Sequence, residues 1–80
     1  IVSNQLIHIY STDQYHVVVQ NLTEKNGHCA VYDISGRLLQ QHVLQAGKYT
    51  SFDLDNYVGI VLVRAIAGNA VETGKLLIRR

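Results

Sequence analysis

Four histidines and one cysteine are the residues best suited to chemistry in this 80-residue chain. His8 and His16 fall on what read as consecutive strands and could face each other. His28 and Cys29 are adjacent, so in an extended segment they point to opposite faces. A structural zinc site needs four convergent ligands, and no His-x-His or Cys-x-x-Cys spacing occurs. Surface or half-buried histidines are the simpler reading, and no metal or other cofactor is expected. Cys29 sits in an apolar pattern, where a small buried hydrophobe is the ordinary role. One cysteine allows no internal disulfide, so the domain must hold by packing.

Other catalytic groupings are equally thin. A hydrolase needs a nucleophile, a base and an orienting acid. Ser35 precedes Gly36, but Ile34-Ser35-Gly36-Arg37 lacks the Gly-x-Ser-x-Gly elbow. Asp33 is suited to capping a turn with its carboxylate. Asp53 and Asp55 lie two apart and could meet a cation, although a solvated loop is simpler. No glycine-rich phosphate loop is present. Asn21-Leu22-Thr23 fits a glycosylation sequon, a pattern common by chance.

The elements that would carry these residues are short strands. Val31-Tyr32-Asp33-Ile34 is β-prone, Ser35-Gly36 breaks it, and Arg37-Leu38-Leu39 resumes an apolar segment, which reads as strand, tight turn, strand. The strands are expected at 6–10, 15–20, 28–34, 37–44, 48–54, 60–67 and 70–78. Polar or glycine-containing turns separate them. Val17 and Val19 share one face, Phe52 and Leu54 another, and Leu76 and Ile78 point inward. The Ile60–Val63 run is apolar throughout and suits a central strand. About seven short strands at this spacing predict an all-β antiparallel sandwich.

Composition narrows the function classes. A net charge of +1 gives no basic stripe, so no nucleic-acid partner is expected; the basic pair Arg79-Arg80 stands alone. An apolar content of 48% suits a folded module. No run approaches the roughly 18 apolar residues of a membrane helix, so no integral membrane segment is expected. The chain has no methionine and begins Ile-Val-Ser, which reads as a piece of a longer precursor. Residues 1–5 are expected to be a linker remnant and residues 6–80 a single domain. Unpaired sheet edges would permit a homodimer.

Four blocks in order carry a family likeness: Val31-Tyr32-Asp33-Ile34-Ser35-Gly36-Arg37, then Phe52-Asp53-Leu54, then Gly59-Ile60-Val61-Leu62-Val63-Arg64-Ala65, and finally Lys75-Leu76-Leu77-Ile78. In this order the chain resembles the C-terminal sorting domains of proteins exported by the type IX (Por) secretion system of Bacteroidetes-type bacteria. It departs from that pattern at Ile9-Tyr10-Ser11-Thr12-Asp13, where Tyr-Pro-Asn-Pro is usual. It departs again at Val61, where tyrosine is usual.

The resemblance implies an immunoglobulin-like sandwich that catalyses nothing and serves as an address. It implies passage through the periplasm to the outer membrane or cell surface. The implied partners are the type IX translocon, a sortase-like surface protease and an upstream cargo domain in the same chain. Tyr32, Asp33, Gly36, Arg37, Gly59, Lys75, Leu76, Leu77 and Ile78 would form the recognition motif, with the last hairpin as handle. The competing expectation is an accessory immunoglobulin-like or fibronectin-like module of a secreted enzyme or adhesin, acting as an interaction or spacer unit.

Overall fold

Alternating side chains sort this chain into two layers. In the computed structural model, which describes residues 6–54 and 57–79, the strands are β1 (Ile7–Ser11), β2 (His16–Asn21), β3 (Gly27–Asp33), β4 (Leu38–Leu44), β5 (Tyr49–Asp53), β6 (Gly59–Ala67) and β7 (Ala70–Ile78). One sheet has the order β1-β2-β5 and the other β4-β3-β6-β7. All pairings are antiparallel. The expected linker at 1–5, Asp55 of the possible cation pair, and Arg80 of the terminal basic pair lie outside the described residues.

The core lies between the sheets. Ile7, Val17, Val19 and Phe52 come from the smaller sheet, and Cys29, Val31, Val61, Val63, Ala65 and Ile78 from the larger. Every second residue of β6, from Val61 to Ala67, is buried, and the residues between point outward. β6 is central, as its apolar start implies, flanked by β3 and β7. Among the described residues no third layer covers its outward positions, which are half-buried or exposed.

Two side-chain devices fix the connections. Asn21 is fully buried. Its Nδ2 donates to the carbonyls of Lys25 (2.8 Å) and Gln45 (3.3 Å), and its Oδ1 accepts from the N–H of Thr23 (3.0 Å) and from Thr23 Oγ1 (2.7 Å). It ties the β2–β3 loop to the β4–β5 turn, and its burial closes the sequon to modification in the folded domain. On the side of the sandwich where β4 and β5 meet, Gln40 Nε2 donates to the Asp53 carbonyl at 3.0 Å. His42 stacks on Phe52 there with ring centroids 4.0 Å apart.

Candidate recognition surface

The β3–β4 turn is built around one carboxylate. Asp33 Oδ1 accepts from Ser35 N (3.0 Å), Ser35 Oγ (2.6 Å) and Arg37 N (3.0 Å). Asp33 N–H donates to the Arg37 carbonyl and Gly36 N–H to the Asp33 carbonyl, both at 3.0 Å. Gly36 has φ +91°, a conformation that side chains resist. The Ser35 hydroxyl, and then the Arg37 amide, hold the Asp33 carboxyl below the usual carboxylate range. Asp33 and Gly36 are therefore consumed in shaping the turn. Arg37 places Nε 3.2 Å from Asp33 Oδ2 while three quarters of its side chain stays exposed.

Register gathers the rest of the motif at the same end of the four-stranded sheet. Asp33 lies opposite Val61 on β6, and Tyr32 lies opposite Leu62. Leu62 in turn lies opposite Lys75 and Gly59 opposite Ile78. The turn, the start of β6 and the end of β7 thus form one pole. Gly59, with φ +127°, makes the bend into β6. Tyr57 spans that bend, its hydroxyl donating to the Ile60 carbonyl at 2.9 Å.

Burial divides the motif. Lys75 and Leu77 are exposed and Tyr32 is half-exposed on the outer face. Leu76 packs against the core, and Ile78 is fully buried. Ile78 is thus a core residue, out of reach of a docking partner in the folded domain.

The motif residues on the outer face belong to a larger surface that the sequence reading did not single out. One row across the sheet is Leu38, Tyr32, Leu62, Lys75; the next is Gln41, Ala30, Arg64, Thr73; the third is Val43, His28, Ile66, Val71. Ile60 and Leu77 extend it toward the pole. None of these outward positions carries a carboxylate. The available signal was the presence of apolar residues at both parities of β6, with Arg64 at the parity opposite Val61 and Val63.

The outer face of the three-stranded sheet is mixed, with His8, His16, Gln20, Ser51 and Asp53 beside Tyr10, Val18 and Tyr49. His8 and His16 do not face each other: His8 lies opposite Gln20 on β2, and His16 lies opposite Asp53 on β5. His16 instead pairs with Asp13, Nδ1 to Oδ2 at 2.7 Å. His42 lies between the sheet edges, its Nε2 2.8 Å from Gln40 Oε1, and burial lowers its pKa. Burial raises the Cys29 thiol to about 11, which keeps it protonated near neutral pH. Among the described residues no three His, Cys, Asp or Glu side chains gather where a metal could be held. Nor is any helix there long and apolar enough to cross a membrane.

Two antiparallel sheets of three and four strands, packed over a shared apolar core, make this an immunoglobulin-like β-sandwich. It is similar to the crystal structure of a DUF3244 family protein with an immunoglobulin-like β-sandwich fold from Bacteroides vulgatus. The TM-score is 0.75 at 12% sequence identity, over 92% of this chain and 85% of that one. Identity at that level carries the fold alone. No protein-family model matches the chain, and no curated protein does.

Proposed function

We propose that this domain is a non-catalytic sorting signal, read by an export apparatus of the type IX kind that carries an attached cargo to the cell surface. The observation that carries the reading is the gathering of separated motif blocks at one pole. Tyr32, Asp33, Gly36 and Arg37 from the β3–β4 region meet Gly59 of β6 and Lys75 to Ile78 of β7 there. Residues far apart in sequence that share one exposed end of a rigid sheet suit recognition of a folded shape.

Within the motif the roles divide. Asp33, Gly36 and Gly59 set the backbone of the pole, and Leu76 and Ile78 anchor β7. Arg37, Lys75, Leu77 and Tyr32 present the readable side chains. The partners in this reading are the translocon and a surface protease that cuts ahead of the domain.

The burial of Ile78 shapes the test. Removing residues 75–80 takes Ile78 from the core, so loss of export by that truncation would not separate recognition from folding. The exposed pair Lys75→Glu and Leu77→Ser, made on the intact cargo in a host with this secretion system, leaves the core in place. Cargo accumulating in the periplasm, with the domain's circular dichroism unchanged, is the expected result. Undiminished surface delivery of that double variant would refute the role given to the pole.

A further inference from the structure

The outer face of the four-stranded sheet carries exposed aliphatic residues and two cations, and no other described residue covers it. Of the large hydrophobic residues exposed in the described structure, Leu38 (46%), Val43 (72%), Ile60 (36%), Val71 (54%) and Leu77 (55%) lie on it, and Ile34 (75%) lies in the turn at its end. Large apolar side chains exposed together on one sheet face are the kind of surface that interaction sites use. Its charged residues are cations, Arg64 and Lys75, and no outward position of β3, β4, β6 or β7 is Asp or Glu.

The face also has relief. Ala30 is the small residue of its row, with Arg64 beside it on β6. Around it lies a shallow hollow of about 140 Å³ lined by His28, Ala30, Tyr32, Arg64 and Ile66. A carboxylate entering that hollow meets the Arg64 guanidinium, while the residues two places before and after it on an extended chain share its face and meet Leu62 and Ile66. Such charge-assisted contacts set partner choice more than raw affinity.

We infer that this face docks an acidic, apolar segment of another protein, a strand that presents Asp or Glu together with aliphatic side chains at every second position, on one face. A second copy of the chain is the poorer occupant. Stacking two such faces sets Arg64 and Lys75 of one copy against the same cations of the other, a like-charge juxtaposition that disfavours the pair. The inference goes beyond the export reading and stands without it, since it concerns binding in solution.

The test titrates the uniformly ¹⁵N-labelled chain with two peptide probes that carry Ser at every second position, the positions between alternating Glu with Leu in one and Lys with Leu in the other. The acidic peptide is expected to bind about tenfold more tightly, the scale of two exposed ion pairs gained against two repulsions. Its amide shift changes should fall on His28, Tyr32, Leu62, Arg64 and Lys75. The preference should shrink several-fold when salt rises to about 0.5 M, where charges on a surface are screened. The double substitution Arg64→Glu with Lys75→Glu should reverse it in favour of the Lys peptide. If that variant does not fold, the salt response and shift map of the unsubstituted chain decide.

Equal binding of the two peptides, or shifts confined to the three-stranded sheet, would overturn the inference. So would a concentration-dependent dimer in sedimentation that buries the same face. Binding to phosphatidylglycerol vesicles in preference to the acidic peptide would also overturn it, by assigning the face to a lipid surface.

Discussion

Asn21 and Asp13 show two uses of a short polar side chain in this domain, and each has its own measurable signature. Asn21 sits fully buried with both ends of its amide engaged. Asn21→Ala removes the Nδ2 donor from the Lys25 and Gln45 carbonyls, which keep Thr23 Oγ1 and the Lys48 amide, and leaves the Thr23 N–H without its acceptor; an amide left unpaired costs about 1–3 kcal/mol. We expect a drop of about 2 kcal/mol or more in urea unfolding; a change below about 0.5 kcal/mol would contradict the role assigned to it.

Asp13 caps the β1–β2 turn, where Oδ1 accepts from the Tyr15 amide (2.9 Å) and the His16 amide (2.8 Å). The Tyr15 amide leads the effects that lower its pKa from 3.8 to about 2. A carboxyl held lower in the folded state stabilises it above the unfolded value and loses that effect as protons bind. The Asp13 contribution is thus complete above about pH 4 and disappears toward pH 2. Asp13→Asn should flatten that part of the curve of unfolding midpoint against pH. An unchanged slope would count against the cap.

At the scale of elements, the alternating strands were legible because one face of each is buried. Val17 and Val19 in β2, Phe52 in β5, and Ile78 in β7 point where a period of two puts them. The turn at Asp33 was legible too, because a short carboxylate before Ser-Gly has few other uses. The end of β1 was not. It runs one residue further than its apolar residues suggest, because Ser11 Oγ donates to the His16 carbonyl (2.7 Å) and holds the hairpin together there. The placing of His8 and His16 was also beyond sequence, since the β1–β2 register decides which residues oppose each other. In β6, apolar residues at both parities read equally as a strand buried on two sides or as one with an exposed apolar face. Only the layer count decides between them.

Close approach of the layers gives a prediction at the same scale. A Cβ placed on Gly74 of β7 would come within 2.8 Å of Ile9 Cγ2 of β1. Gly74→Val should push β1 from β7 and speed amide exchange through residues 7–11 while β3 and β6 keep their protection. Uniform exchange, or none, would contradict the contact. The opposite side is stitched by Gln40 and by His42 against Phe52. The two flanks are thus closed by different means, and β1, paired with β2 on its other side, meets β7 by packing.

For the molecule as a whole, the two outer faces differ: one mixes histidines, tyrosines and Asp53, and the other sets exposed aliphatic residues beside cations without a carboxylate. This asymmetry, together with a pole assembled from separated segments, is the physical case for a domain that is recognised. The most direct measurement fuses residues 1–80 to the C-terminus of a periplasmic reporter in a bacterium that carries the type IX system, and follows protease accessibility of the reporter on intact cells. Surface exposure with the unsubstituted domain, lost with the Lys75→Glu and Leu77→Ser pair, is the predicted result. Retention of the reporter in the periplasm with the unsubstituted, folded domain would contradict it and favour an accessory interaction module.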